Sequence, residues 1–296
     1  MAERREPTGG SIILCADDYA MTVGITRSID ELARARKISA TSAMTTTRHW
    51  PEHGQGLRRL RGTIAIGLHF NLTLGRALGP MPKLAPDGVF PRVGDVTRLA
   101  IGGQIDADEI AAEMTRQLDR FEQVCGYPPD FIDGHQHVHA LSGIRDGVFA
   151  ALAARHMSPA PLIRDPGDSL AGIFKRGAAI TKAAALYWLS RGFRAEARRA
   201  GFAVNDSFAG VSDFDPARTE REFQRAAIGA GPLHLVMCHP GFPDAELEAL
   251  DPITKRRRVE HDIIAARDLF GAKLWRPARS ADGPTIDWAT ALERAA

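Results

Sequence analysis

The stretch Ile12-Ile-Leu-Cys-Ala-Asp-Asp-Tyr19 decides how the rest of the chain reads. An unbroken apolar run, Ile12–Ala16, leads straight into two carboxylates, Asp17 and Asp18. Consecutive rather than alternating apolar residues suit a strand covered on both faces, as in a parallel sheet. Similar short runs recur at Ile38–Met44, Ile64–Phe70, Phe131–Asp133, Leu162–Arg164, Phe202–Val204 and Leu233–Cys238, with Lys273–Trp275 as a candidate eighth. Between them lie helical patterns. In Ala107–Val124, Ile110, Met114, Leu118 and Phe121 recur at spacings of four, four and three, with Asp106 as N-cap and Gly126 and Pro128 closing the segment. Gly143–His156, Pro216–Ile228 and Thr254–Phe270 read the same way.

This alternation predicts an α/β fold. Seven or eight units in 296 residues fit a distorted (β/α) barrel of seven or eight mostly parallel strands, with a doubly wound sheet as the alternative. A single barrel domain is expected over 11–276, between a disordered N-terminus at 1–10 and a C-terminal tail at 277–296. Two insertions interrupt it. The Gly- and Pro-rich segment 75–106 reads as an active-site loop. The segment 170–200 reads as a basic helical insertion, with Lys175, Arg176, Lys182, Arg191, Arg194, Arg198 and Arg199 against one acid, Glu196. That insertion can pack its apolar face on the sheet or lie at a membrane surface.

Composition excludes several classes. The chain is 44% hydrophobic and 25% charged, which rules out a disordered or collagen-like protein. A net charge of +2, from 38 basic and 36 acidic residues, gives no bulk reason to expect a nucleic-acid partner. Cys15, Cys125 and Cys238 are few, odd in number and far apart, which argues against disulfides and cysteine zinc sites. The polar N-terminus and the shortness of Ile12–Ala16 point to a cytoplasmic location.

The polar residues at the end of each run are more informative. Asp17 and Asp18 end the first, His69 and Asn71 the third, and Asp133, His135, His137 and His139 the fourth. Arg164 and Asp165 end the fifth, Asn205 and Asp206 the sixth, and His239 the seventh. In α/β barrels the chemistry sits at the carboxyl ends of the strands, so these groups are aimed at one mouth. Paired Asp17 and Asp18 can cap the following helix or share a cation, since adjacent carboxylates repel unless something positive lies between them. His135-Gln-His-Val-His139 can bring at least two imidazoles together as metal ligands, or stand as a surface cluster. His69 reads either as a core histidine or as a ligand, and His239 as a turn residue or a general acid. His49, His53, His156, His234 and His261 have no such setting.

The stretches Cys15-Ala-Asp-Asp-Tyr19, Gly67-Leu-His-Phe-Asn-Leu-Thr73, Asp133-Gly-His-Gln-His-Val-His139 and Cys238-His-Pro-Gly241 resemble, in order and spacing, the YdjC-like carbohydrate deacetylase family. That family includes chitooligosaccharide deacetylases and the HpnK type of hopanoid biosynthesis. Gly79-Pro-Met-Pro-Lys-Leu-Ala-Pro-Asp-Gly88 resembles the loop after the second motif. Tyr19-Ala20 and Gln136 depart from the chitooligosaccharide branch, which bears on the substrate. The resemblance implies removal of an N-acetyl group from an amino sugar with one divalent ion held by an Asp and two His, a donor set that leaves its identity open: Mg2+ or Zn2+, with Mn2+ or Co2+ as further choices. Carried over by position, Asp18, His69 and His135 are the metal ligands, Asp17 the base and His239 the acid. Asn71, Asp133, His137, His139, Arg164 and Asn205 are expected to touch substrate or support those residues. The implied partner is an N-acetylated amino sugar, soluble or lipid-linked, and a homodimer and peripheral membrane contact stay open. The competing readings are another metal amidohydrolase, suggested by His137-Val-His139, and a barrel that binds sugar or lipid without catalysis.

Overall fold

Seven parallel strands form one curled sheet, ordered β5-β4-β3-β2-β1-β7-β6. They are β1 (Ile12–Tyr19), β2 (Ala40–Ala43), β3 (Ala65–Phe70), β4 (Phe131–Gly134), β5 (Leu162–Ile163), β6 (Ser207–Ala209) and β7 (His234–Cys238). The structure, a computed structural model, describes residues 11–279, 283 and 285–293. The N-terminal segment 1–10 lies outside the described residues.

The helices are α1 (Val23–Arg34), α2 (Trp50–Leu60), α3 (Val93–Ile101), α4 (Ala107–Cys125), α5 (Ile144–Arg155), α6 (Leu170–Arg176), α7 (Ile180–Leu189) and α8 (Phe193–Arg199). After β6 come α9 (Thr219–Ala226), α10 (Ala245–Leu250), α11 (Lys255–Ala266) and α12 (Trp288–Glu293). α4 begins as its sequence indicates: Asp106 accepts hydrogen bonds from the amides of Asp108 and Glu109, and Gly126 ends the helix at a φ of 79°.

Four expectations need correction. The sixth strand lies at Ser207–Ala209, not Phe202–Val204, where Ala203 makes only an isolated bridge to Leu162. Lys273–Trp275 is not an eighth strand; Leu274 bridges Ile12 alone. The segment 75–106 is not all loop, since α3 lies within it. Within the expected tail at 277–296, of which 280–282, 284 and 294–296 lie outside the described residues, the chain also packs on the sheet. Arg279 pairs with Asp130, Trp288 donates its indole N–H to the Asp130 carbonyl, and its ring stacks on Trp275 at 5.1 Å, plugging the amino end of the sheet.

Side-chain alternation explains how the sheet carries a site. Ile13, Cys15, Ala40, Ala65, Phe131, Leu162, Leu235 and Met237 fill the concave side together with the two tryptophans. Ile12, Leu14 and Ala16 face the helices. Further along each strand on the same face, two residues on or, in β3, four, the concave positions become Asp17, Ser42, His69, Asp133, Arg164 and His239. The register puts His69 opposite Asp133. The apolar layer is therefore the floor on which the polar layer stands. Between the edge strands, Ile163 N–H bonds Ala203 O at 2.9 Å, and Asn205 ties Asp165 to Ser207 through its side-chain amide.

Gly67 lies directly below His69 on the concave face, and a Cβ there would stand 2.5 Å from the buried Phe131 ring. Gly67→Ala is expected to destabilise the fold by about 1–3 kcal/mol through overpacking. Urea unfolding measures it; an unchanged midpoint would contradict the packing described.

Candidate metal and catalytic centre

β1 departs from regular pairing just where it carries its carboxylates. Its register against β2 shifts between Ala16 and Tyr19, and Asp18 has a φ of 70°. The extra residue of this bulge lets Asp17 and Asp18 line the same cavity, where a regular strand would send them to opposite faces. A second departure follows β4. His135–Ala140 form a short 3-10 turn in which Gln136 and His137 are left-handed, at φ 53° and 62°. The turn separates the three histidines.

His135 faces Asp18, with Nδ1 3.0 Å from Oδ1. His69 Nε2 lies 3.2 Å from the same oxygen. One donor atom from each of Asp18, His69 and His135 falls within 4.8 Å of the others. Arg257, from α11, holds the second Asp18 oxygen at 2.7 Å and Asp251 at 2.6 Å. His69 Nδ1 lies 2.6 Å from Asp133 Oδ1 and 3.0 Å from Ser42 Oγ. Donation from Nδ1 to Asp133 leaves Nε2 as the free donor atom, the arrangement that orients imidazoles toward metals.

Asp17 makes a two-pronged pair with Arg164, NH1 to Oδ2 at 2.7 Å and NH2 to Oδ1 at 2.6 Å. The same NH2 pairs with Asp133 and lies 3.1 Å from Cys15 Sγ. Cys15, Asp17 and Asp133 form a second convergent group, but the guanidinium already occupies it. The Asp18–His69–His135 group has no such cation at its centre and opens to the cavity.

Charge and donor chemistry both fit a divalent ion there. With the imidazoles of His69 and His135 counted neutral, as ligands must be, Asp17, Asp18, Asp133 and Asp251 are balanced by Arg164 and Arg257 alone, a formal excess of two negative charges in a buried site. One carboxylate and two imidazoles suit zinc, manganese or cobalt, and magnesium less closely. The electrostatics carry the mark of that excess. Burial disfavours the His69 imidazolium, yet Asp133, Asp18 and Asp17 push its pKa up to about 10. Burial would raise Asp18, but Arg257 and the two imidazoles hold it well below the usual carboxylate range. Asp133 is likewise lowered against burial by Arg164 and His69.

The remaining candidates from the sequence separate. His239 and His137 line the cavity. Burial lowers the pKa of both, with Arg164 adding to the effect at His137, while Asp18 opposes it at His239. His139 is fully buried behind Arg164, joined to its backbone oxygen through Nε2 at 2.8 Å, and burial takes its pKa to about 4. Asp133 and Arg164 support the site from below and do not reach the cavity. Asn71 and Asn205 are corrections to any substrate contact. Both are fully buried, Asn71 bonding Thr46, Thr73 and Leu74 in the turn after β3, and Asn205 clasping the sheet edges. Sequence reasoning missed Arg257 and Ser42. Ser42 is recoverable from alternation along β2; nothing in Lys255-Arg-Arg-Arg258 tells which arginine reaches Asp18.

The cavity measures about 450 Å³. Its floor is polar, and Val93, Leu186, Leu189, Phe214 and Ile253 give it an apolar wall.

The model of the family described as YdjC-like protein matches residues 11–271. A chitooligosaccharide deacetylase of Klebsiella pneumoniae is 31% identical over 263 residues, 88% of this chain and 93% of that protein. One from Proteus mirabilis is 35% identical over 133 residues, where the chain spans about half the relative's length, 51%, and 45% of its own. A crystal structure of an Enterococcus faecalis protein proposed to cleave cellobiose phosphate superposes with a TM-score of 0.67 at 22% identity, over 90% of this chain and 97% of that one, and shares the fold.

Added Zn2+ or Mn2+ is expected to bind at one equivalent per chain. His69→Ala and His135→Ala should lower that stoichiometry sharply while far-ultraviolet circular dichroism stays unchanged, and Asp17→Asn should keep it. Elemental analysis after gel filtration reads the outcome; full occupancy in both histidine variants would place the ion elsewhere.

Arg257→Gln frees the second Asp18 oxygen without removing a proposed ligand. It should weaken metal affinity by roughly 10–100-fold, the usual effect of losing an outer partner of a ligand. Competition against a chromophoric chelator measures it, and unchanged affinity would remove Arg257 from the design.

Proposed function

The chain belongs to the YdjC-like protein family, and on that footing we propose that it is a metal-dependent hydrolase that removes the N-acetyl group from an amino sugar. One observation carries the reading: a convergent Asp-His-His donor set, an adjacent carboxylate and an imidazole all open to one cavity. The similarity to chitooligosaccharide deacetylases supports the same class of substrate.

Amide hydrolysis needs a better nucleophile than neutral water and a counter-charge for the developing oxyanion. A divalent ion held by Asp18, His69 and His135 would supply the polarising charge for both. Asp17 does not belong to that donor set, and its carboxylate is held in place by Arg164 and faces the cavity. It takes the proton from the attacking water. Asp133 fixes the tautomer of His69 and shares Arg164 with Asp17, so base and ligand are set by one network. Water adds to the acyl carbon, the C–N bond breaks, and the leaving nitrogen takes up a proton as acetate departs. His239 is the donor of that proton. Its lowered pKa makes the imidazolium a stronger acid and a scarcer one.

The apolar wall bears on the substrate. A free sugar has little to offer Leu186, Leu189, Phe214 and Ile253 beyond one stacking face. An amino sugar with an apolar or lipid aglycone would bury area against them, at about 25 cal/mol per Å². We therefore place such a glycoside ahead of a long soluble oligosaccharide. Octyl N-acetylglucosaminide should be turned over with a lower KM than N-acetylglucosamine oligomers; the reverse order would favour the soluble sugar.

Asp17→Asn should lose about 10²–10⁴ in kcat while retaining metal. His239→Asn should impair release of an alkyl amine far more than hydrolysis of 4-nitrophenyl acetate, whose leaving group needs no proton. Equal losses on both substrates would mean that His239 is not the acid.

A further inference from the structure

The insertion between β5 and β6 contains an apolar helix that the fold leaves uncovered. Eight of the ten residues of α7 are apolar, Ile180-Thr-Lys-Ala-Ala-Ala-Leu-Tyr-Trp-Leu189, and none of its residues is buried. Its two faces have different surroundings. Lys182, Ala185, Leu186 and Leu189 line the active-site cavity. Ile180 and Trp188, eight residues apart and so on one stripe, face outward, and Trp188 is 60% exposed. α6 packs against α7 and carries its own outward pair, Leu170 and Phe174, four residues apart, with Phe174 63% exposed. An apolar helix packed only on the sheet would bury its large residues, and this one exposes an aromatic instead.

Two exposed cations stand beside these stripes. Lys175, next to Phe174 in the chain, and Arg191 are exposed and pair with no carboxylate among the described residues. Arg191 lies over the Trp188 ring at 5.4 Å. The one acid of the segment, Glu196, is neutralised by Arg145 at 2.8 Å. Large apolar and aromatic side chains beside uncompensated Lys and Arg suit the boundary between acyl chains and anionic head groups. A second copy of the chain fits less well, because a two-fold contact would set these cations against themselves.

We propose that α6 and α7 form a docking surface for an anionic lipid bilayer, with Trp188 and Phe174 entering the head-group boundary and Lys175 and Arg191 meeting lipid phosphates. The cavity-lining side of α7 then stands next to the membrane plane. The surface is independent of the deacetylase reading and can be tested without turnover.

The test uses the full chain and extruded vesicles of phosphatidylcholine, alone or with one-third phosphatidylglycerol. The chain should cosediment with the anionic vesicles at low salt, not with the neutral ones, and release at high salt. Trp50, Trp275 and Trp288 are buried, so a blue shift of tryptophan emission on binding reports Trp188. Trp188→Ala should abolish that shift and weaken binding several-fold. Arg191→Glu reverses one cation and should weaken it by at least roughly fivefold. Both side chains are exposed, so the variants should fold. The proposal is overturned by absence of vesicle binding, by equal binding to neutral vesicles, or by affinity that neither substitution changes. A self-association that Trp188→Ala dissolves, without vesicle binding, would assign the face to a second copy instead.

Discussion

A single buried guanidinium organises the centre of this protein. Arg164 has no exposed surface, and its NH2 group bonds Asp17, Asp133 and Cys15 together. Burying ions is costly, several kcal/mol for each, so such a group persists only when its geometry is well satisfied. Here His139 fixes the Arg164 backbone, and two strands present their carboxylates to its fork. Removing the guanidinium would leave two carboxylates uncompensated, a loss on the order of 3–5 kcal/mol. The arrangement reaches outward by contact: Arg164 holds Asp133, Asp133 holds His69, and His69 shares Asp18 with His135.

The second constraint is the bulge in β1. A regular strand would give the cavity one of its two adjacent carboxylates. The left-handed Asp18 gives it both, in different settings. Asp17 is neutralised by an arginine from below, whereas Asp18 has an arginine on one oxygen and two imidazoles on the other. The same pair of residues thus supplies one carboxylate suited to coordination and one kept apart from it. Arg257 contributes by occupying the Asp18 oxygen that faces away from the histidines.

Much of this is legible in the order of residues along the chain. Consecutive apolar runs mark buried parallel strands, and groups at their carboxyl ends converge because the strands are parallel; Asp17, Asp18, His69, His135 and His239 all line the cavity. The features that stay hidden have physical causes. The bulge is invisible because aspartate tolerates the left-handed region and no glycine flags it. Asn71 and Asn205 end strand-like runs as expected, but residue type alone does not distinguish an amide that reaches substrate from one that closes a turn. The sixth strand falls several residues late because Phe202 and Val204 serve the helix-side core while Ser207–Ala209 make the ladder. Arg257 stands between two other arginines in a helical pattern, and only the packing of α11 brings it rather than a neighbour to Asp18.

Anomalous diffraction from a zinc-soaked crystal, recorded on both sides of the zinc edge, reads the central claim most directly. The account predicts one strong peak within bonding distance of Asp18, His69 and His135, with Arg164 still seated on Asp17 and Asp133. A peak among Cys15, Asp17 and Asp133 with Arg164 displaced, or no peak in the cavity at all, would contradict it.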